Sequence, residues 1–256
     1  MIKQKLSASL ADHISFSTEV DVFSDLVAYS LKSLVVSCVE RIDPAFKTMS
    51  QIHWGSTADF EGESEYCHTI QPPLALVLSN VYTILTQAYY NNFCLKLSTE
   101  LIKTFQETIL KQKKISDSGA QQLLLDAHYL KQLLLKLHHL GVDGGNSSNS
   151  SSGEIMIPSM YTKFVNGRVG HVENVLKLIS TPEEHLKERF NHLWPEGKDA
   201  DFQMIINLKT TKRSFDKGVG DKLNKAMESL SQTSMSSLSS SARNAIDNLK
   251  DKLGKN

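Results

Sequence analysis

Along most of the chain apolar residues return every three or four positions and almost nowhere alternate, so the pattern predicts helices and no strands. From Thr18 to Glu40 the residues Val20, Phe23, Val27, Leu31, Leu34, Val35 and Cys38 keep this period. Pro44 restarts the chain into a short amphipathic piece ending near Trp54, and the stretch from Gly55 to Tyr66, acidic and containing Gly62, reads as a surface loop. Pro72 and Pro73 suit the first turn of another helix. It is predicted to reach about Asn91, where the Asn91-Asn92 pair marks a bend, after which Leu95, Leu101, Phe105 and Ile109 carry the period towards Lys111.

The clearest helix start is at Ser118, followed by Gln121 in capping-box form, the serine oxygen taking a free backbone N–H and the glutamine reaching back to the cap. Leu123, Ala127, Leu130, Leu134 and Leu137 then form one stripe that Leu124, Leu133 and Leu135 widen, so the helix should be buried by neighbours on more than one side. Gly141 to Gly153 is a Gly/Ser/Asn tract without core anchors and reads as an insertion loop. A helix from about Ser159 to Ile179 follows, with Tyr161, Phe164, Val165, Val172, Val175, Leu176 and Ile179 inward; Gly167 and Gly170 suggest a kink or a close helix contact in its middle. Thr181 as cap, Pro182 at the first position and Glu183-Glu184 on the dipole open a helix to about Leu193, and Asp199 to Lys209 gives one more.

The expected fold class is all-α: stacked antiparallel helices forming a bundle or rod over residues 1–213, with surface loops at 55–66 and 141–157. Residues 214–256 are Ser-rich with few large apolar side chains, and read as a flexible tail with a terminal amphipathic set of Ala245, Ile246, Leu249 and Leu253.

Charge narrows the partners. Lys plus Arg and Asp plus Glu number 28 each, which leaves no net field to gather nucleic acid or an acidic membrane. Cys38, Cys67 and Cys94 are too few and too scattered for a disulfide framework, favouring a reducing compartment. The first residues lack a secretory core, and no uninterrupted apolar run has the length of a membrane span, even Leu74 to Leu85 being broken by Ser79 and Asn80. The glycosylation patterns at Asn146 and Asn149 then carry no meaning.

Candidate chemistry is sparse. Asp126 and His128, two residues apart on a helix, project about 160° away from each other, a poor dyad. His185 and His192 are two turns apart, about 10 Å, too far for one zinc. The pairs His138-His139 and Cys67-His68 point different ways, and surface or capping histidines explain them more cheaply. Gly218-Val219-Gly220-Asp221-Lys222 lacks the spacing and the Ser/Thr of a phosphate loop. Lys111, Lys113 and Lys114 read as a solvated helix end before a phospholipid contact. No catalytic, metal or cofactor residue is expected.

Gly119-Ala120, Gln122-Leu123-Leu124-Leu125-Asp126, His128 and Leu130-Lys131 resemble a segment in the C-terminal region of the vacuolar protein sorting-associated protein 53 family. Asp43-Pro44-Ala45, Met49-Ser50 and Trp54 fall upstream in the family's order, and Tyr161-Thr162-Lys163, Glu173, Leu176-Lys177, Pro182, Phe202-Gln203 and Lys212-Arg213-Ser214 fall downstream. The resemblance spans roughly Phe16 to Ser214. It implies a helical rod and a non-enzymatic subunit of the Golgi-associated retrograde protein and endosome-associated recycling tethering complexes. That role is in retrograde transport from endosomes to the trans-Golgi network and in endosomal recycling. The implied partners are the other subunits, with SNAREs and small GTPases on Golgi or vesicle membranes, and the implied location is peripheral, on the cytosolic face of those membranes. The family's N-terminal coiled-coil region assembles the complex, and this chain is expected to be a portion that follows it.

The polar face beside the motif, Gln121, His128, Gln132 and Lys136, together with Lys163 and Lys177, is the candidate partner surface. The alternatives are a helical adaptor unrelated to tethering, or an enzyme whose site only the fold would reveal.

Overall fold

The computed structural model describes residues 15–56, 62–143 and 157–209. Within them the helices are α1 (Ser17–Gln51), α2 (Glu65–His68), α3 (Gln71–Ile84), α4 (Gln87–Leu110), α5 (Asp117–Leu135), α6 (Leu137–Asp143), α7 (Ser159–Ile179), α8 (Glu183–Leu193) and α9 (Asp199–Leu208). The described residues hold no named strand, only an isolated parallel bridge between Ile115 and Lys209. The all-α expectation holds. The tail from 214, the sequons at Asn146 and Asn149, and Gly218 to Lys222 lie outside the described residues.

Several boundaries differ from the sequence pattern, each for a local reason. Pro44 sits inside a continuous α1. The lost N–H costs one backbone bond, but Ala45, Phe46 and Met49 immediately after it are buried, and that packing carries the helix through. The bend expected at Asn91 lies instead at Leu85 and Thr86, both extended (ψ 146° and 156°). No glycine or proline marks it; the preceding Val81, Thr83 and Ile84 are β-branched and weak helix formers. Asn91 is helical and accepts from Gln87 Nε2 at 2.8 Å.

The cap of α5 is Ser116, two residues earlier than the capping box suggested: its Oγ accepts from Gly119 N–H at 3.0 Å, and Ser118 falls in the first turn. The helix ends at Leu135, and α6 follows after Lys136. Gly141 is helical and buried, so the first residues of the predicted loop belong to α6. At the end of the other predicted loop, Glu65 and Tyr66 already belong to α2, and Tyr66 is buried. Helix α7 spans Ser159–Ile179 as read from sequence. A Cβ built on Gly167 or Gly170 meets nothing within 4 Å, so no helix among the described residues makes a close contact there. Thr181 does not cap α8; its hydroxyl donates back to Lys177 O at 2.6 Å, and Pro182 is the cap residue.

The core gathers one face of each long helix. Helix α7 packs chiefly on α5, α4 on α1, and α3 on α6. Tyr161 of α7 is a three-way tie: its hydroxyl donates to Leu134 O of α5 at 2.6 Å and bonds to Ser98 Oγ of α4 at 2.8 Å. Ser116 N–H donates to Trp54 O at 2.9 Å, so the C-terminal ends of α1 and α4 meet and the two packed helices run parallel. At 35 residues α1 outruns the 24-residue α4 at its N-terminal end.

One further expectation changes. Asp25 and Lys32 interrupt the apolar run of α1 in print, hiding it from a search for unbroken stretches. As a helix, α1 is nonetheless long and apolar enough to cross a membrane by length and composition, its 18-residue window having a mean hydropathy of 1.5.

Candidate partner-binding surface

Helix α5 has two faces with different work. On the inner side Leu123, Ala127, Leu130 and Leu134 are buried, and Asp126 is buried among them with no exposed surface. A carboxylate taken out of water needs hydrogen bonds to offset the loss of hydration. Asp126 Oδ1 accepts from Ser64 N–H at 2.8 Å and from Gln122 Nε2 at 3.2 Å; Oδ2 accepts from Ser64 Oγ at 2.8 Å and from Tyr66 Oη at 2.7 Å. Gln122 Nε2 also reaches Gly62 O at 2.8 Å, and Gly62 holds the positive φ of 88° that lets the chain turn there. Burial, and then the neighbouring carboxylate, raise the Tyr66 phenol pKa well above its usual value; the same two causes raise the Cys67 thiol. Asp126 thus fastens the start of α2 to α5. Its partners are structural, and His128 points away from it into solvent.

The outer side of α5 carries the predicted surface. Gln121, His128, Gln132 and Lys136 are all exposed, and spacings of seven, four and four bring them onto one face within about 80° of arc. Leu125 stands in the middle of them, one turn after Gln121 and one turn before His128, and is 48% exposed. By composition alone a leucine in a Leu-rich helix resembles core. Its angular position on the polar face was the available signal.

The two lysines of α7 are placed apart. Lys163 is exposed; Lys177 is half-buried, its ammonium 4.0 Å from Glu173 Oε2. Glu173 also pairs with Lys131 of α5 at 3.4 Å, so this acid joins the two helices at the edge of the face. The structure brings Gln121, His128, Gln132 and Lys136 together along α5 and its C-cap and leaves Lys163 and Lys177 on the flank of the neighbouring helix.

Lys111, Lys114 and His138, also singled out in the sequence, have structural roles. Lys111 pairs with Glu107 at 3.3 Å, and Lys114 donates to Asn207 O at 2.7 Å and Lys209 O at 3.3 Å, binding the C-terminal carbonyls of α9. His138, read as a surface residue, is fully buried; its ring lies edge-on to Tyr161, centroids 4.4 Å apart, and neither ring nitrogen has a hydrogen-bond partner. Burial, with a smaller contribution from His139, lowers its pKa to about 4. The described residues contain no group of three or more His, Cys, Asp or Glu that could hold a metal ion.

Comparison with known proteins places this surface in a family context. Residues 121–211, which include most of α5 and all of α6 to α9, match the family of the vacuolar protein sorting-associated protein 53 C-terminus. Vacuolar protein sorting-associated protein 53 A of Arabidopsis thaliana is 27% identical over 234 residues, covering 91% of this chain and 27% of the relative. The vacuolar protein sorting-associated protein 53 homolog of Caenorhabditis elegans is 27% identical over 217 residues, covering 83% of the chain and 26% of the relative. The chain therefore spans about a quarter of the length of these curated relatives. No solved structure matches it.

Proposed function

We propose, on the premise that the chain belongs to the vacuolar protein sorting-associated protein 53 family, that it works as the C-terminal portion of a tethering-complex subunit. In this reading it acts in retrograde transport from endosomes to the trans-Golgi network and in endosomal recycling, and sits peripherally on those membranes through its partners. The observation that carries the reading is the family match over 121–211, a stretch whose described residues fold into the packed helices α5 to α9. Its work is binding and reach, with no bond made or broken.

The outer face of α5 supports a role in contact. A partly exposed leucine ringed by Gln121, His128 and Gln132 has the anatomy of a small interface centre: an apolar anchor that a partner can bury and a polar rim that fixes register. Other subunits of the complex are the proposed occupants, and SNAREs or small GTPases would be recruited in the same assembly. Helices α5 to α9 form part of a body proposed to extend over residues 1–213, with the Ser-rich segment beyond it as a flexible tail.

The test is affinity purification of the tagged chain from cell extract, with its companions identified by mass spectrometry. Recovery of Golgi-associated retrograde or endosome-associated recycling subunits above an untagged control is expected. Recovery of a reproducible set that contains none of them sinks the reading and leaves a helical adaptor.

A further inference from the structure

The first four turns of α1 stand outside the core. Residues 15–30 are exposed apart from Val27, which is half-buried, although they include Phe16, Val20, Phe23, Leu26 and Tyr29. Phe23 is 67% and Tyr29 70% exposed, values unusual for large apolar side chains that no partner covers. At 100° per residue these side chains fall into two arcs. Phe16, Val20, Phe23 and Val27 occupy one, and Val22, Leu26 and Tyr29 the other.

The first arc continues an interface already in place. Leu31, Val35, Cys38 and Ile42 carry the same stripe into the core where α1 packs alongside α4. Because α1 outruns α4, the stripe emerges beyond the start of α4 with no helix among the described residues to meet it. The second arc leads to Val36 and into a groove between α1 and α4 of about 960 Å³, whose apolar wall includes Val35, Val39 and Leu95. The spacing of four and three along Phe16, Val20, Phe23 and Val27 is the seam of a helix that packs on another helix.

Charge selects the kind of helix. Between Ser15 and Ser30 the charged residues are Glu19, Asp21 and Asp25, three acids and no base. A second copy of this chain would set acids against acids, and an anionic bilayer would be repelled in the same way. The window apolar enough for a membrane also contains Leu31, Val35 and Cys38, which are buried in the protein core.

We propose that residues 16–30, at the N-terminal end of α1, are a docking surface for an amphipathic helix of another protein, one whose apolar stripe is flanked by lysines or arginines. The inference stands on α1 alone and does not depend on the tethering reading. It concerns a different face from the outer side of α5.

Two synthetic helical peptides test it, sharing one leucine stripe and differing only in flanks of Lys or Glu, with binding to the full chain read by fluorescence anisotropy. The basic peptide is expected to bind at least tenfold more tightly than the acidic one, with a gap that narrows as salt rises. Phe23→Asp combined with Leu26→Asp is expected to remove binding while the melting temperature stays within a degree or two, since both side chains are exposed. A photo-crosslinker at position 23 in cells is then expected to join the chain to a basic-flanked helical segment of another protein. Equal binding of the two peptides, binding that survives the double substitution, flotation of the chain with anionic vesicles, or crosslinks confined to lipid, to a second copy or to this chain itself would each overturn the proposal.

Discussion

Asp126 and Tyr66, sixty residues apart, meet in the core through a 2.7 Å hydrogen bond from the phenol to the carboxylate. The same carboxylate accepts from Ser64 twice and from Gln122, so one buried side chain holds together the turn at Gly62, the start of α2 and the inner face of α5.

Removing the acceptor deprives three donors of their partner at once, Ser64 N–H, Ser64 Oγ and Tyr66 Oη, while Gln122 keeps Gly62 O. Asp126→Ala is therefore expected to lower unfolding free energy by about 3–5 kcal/mol, and Tyr66→Phe, which removes a single donor, by about 1–2 kcal/mol. Urea unfolding at neutral pH measures both. A loss at Asp126→Ala no larger than that at Tyr66→Phe would show that the carboxylate is not the hub.

His138 makes stability depend on pH in a stated direction. Its folded pKa is lowered to about 4 from 6.5, so between those values the unfolded chain binds the proton and the folded chain does not. The stability that the neutral ring permits is present above pH 6.5 and is lost as pH falls towards 4, by up to about 3 kcal/mol. His138→Phe keeps an aromatic ring beside Tyr161 and Tyr90 and removes the titration. Urea midpoints at pH 7 and pH 5 should move apart less in this variant than in the parent chain; an unchanged gap would assign the pH dependence to other groups.

Three helical glycines are expected to respond in opposite directions to alanine. A Cβ at Gly141 would meet Tyr90 Oη and lie 3.0 Å from Leu78 O, so Gly141→Ala should cost about 1–3 kcal/mol through overpacking. Gly167 and Gly170 face open space within α7, and alanine there should stabilise by about 0.5–1 kcal/mol each. Thermal melting of the three single variants gives the signs directly.

Cys38, Cys67 and Cys94 are all buried and free. Burial raises the thiol pKa of Cys38 to about 11 and that of Cys94 to about 12, so little thiolate is present at pH 8. Iodoacetamide is expected to leave the folded chain unmodified over an hour and to label all three cysteines in 6 M guanidinium. Rapid modification of any of them in the native chain would mean that the core opens locally there.

On the outer face of α5, Leu125→Asp together with His128→Asp should change unfolding free energy by less than about 0.5 kcal/mol, because both positions face solvent. Companion proteins recovered with the chain should fall at least fivefold if this face is used. Unchanged recovery would move the contact elsewhere.

The helices themselves were legible because burial imposes the period that the sequence displays: α7 was bounded correctly, and α9 to within a residue. Events that leave no mark on that period were not. The break at Leu85 has no glycine or proline, and Pro44 signals a break that core packing overrides. Asp126 lies at the angle of the apolar stripe, yet its role depends on Ser64 and Tyr66, which a helix-by-helix reading cannot bring near it. The polar face of α5 was found by angle alone, and its exposed leucine was overlooked because composition argued for core.

The bridge between Ile115 and Lys209 sets an order in time. Ile115 N–H donates to Leu208 O at 2.7 Å, Lys209 Nζ reaches Asp117 Oδ1 at 3.2 Å and Ile179 O at 2.6 Å, and Lys114 binds Asn207 O across 93 residues of chain. A ribosome making this protein finishes the junction between α4 and α5 long before it makes the strip that closes over it. Until residue 209 has been synthesised Ile115 N–H and the Lys114 ammonium have only water to bond, and a nascent chain stopped at residue 198 carries every helix from α1 to α8 without the latch that joins its middle to its end.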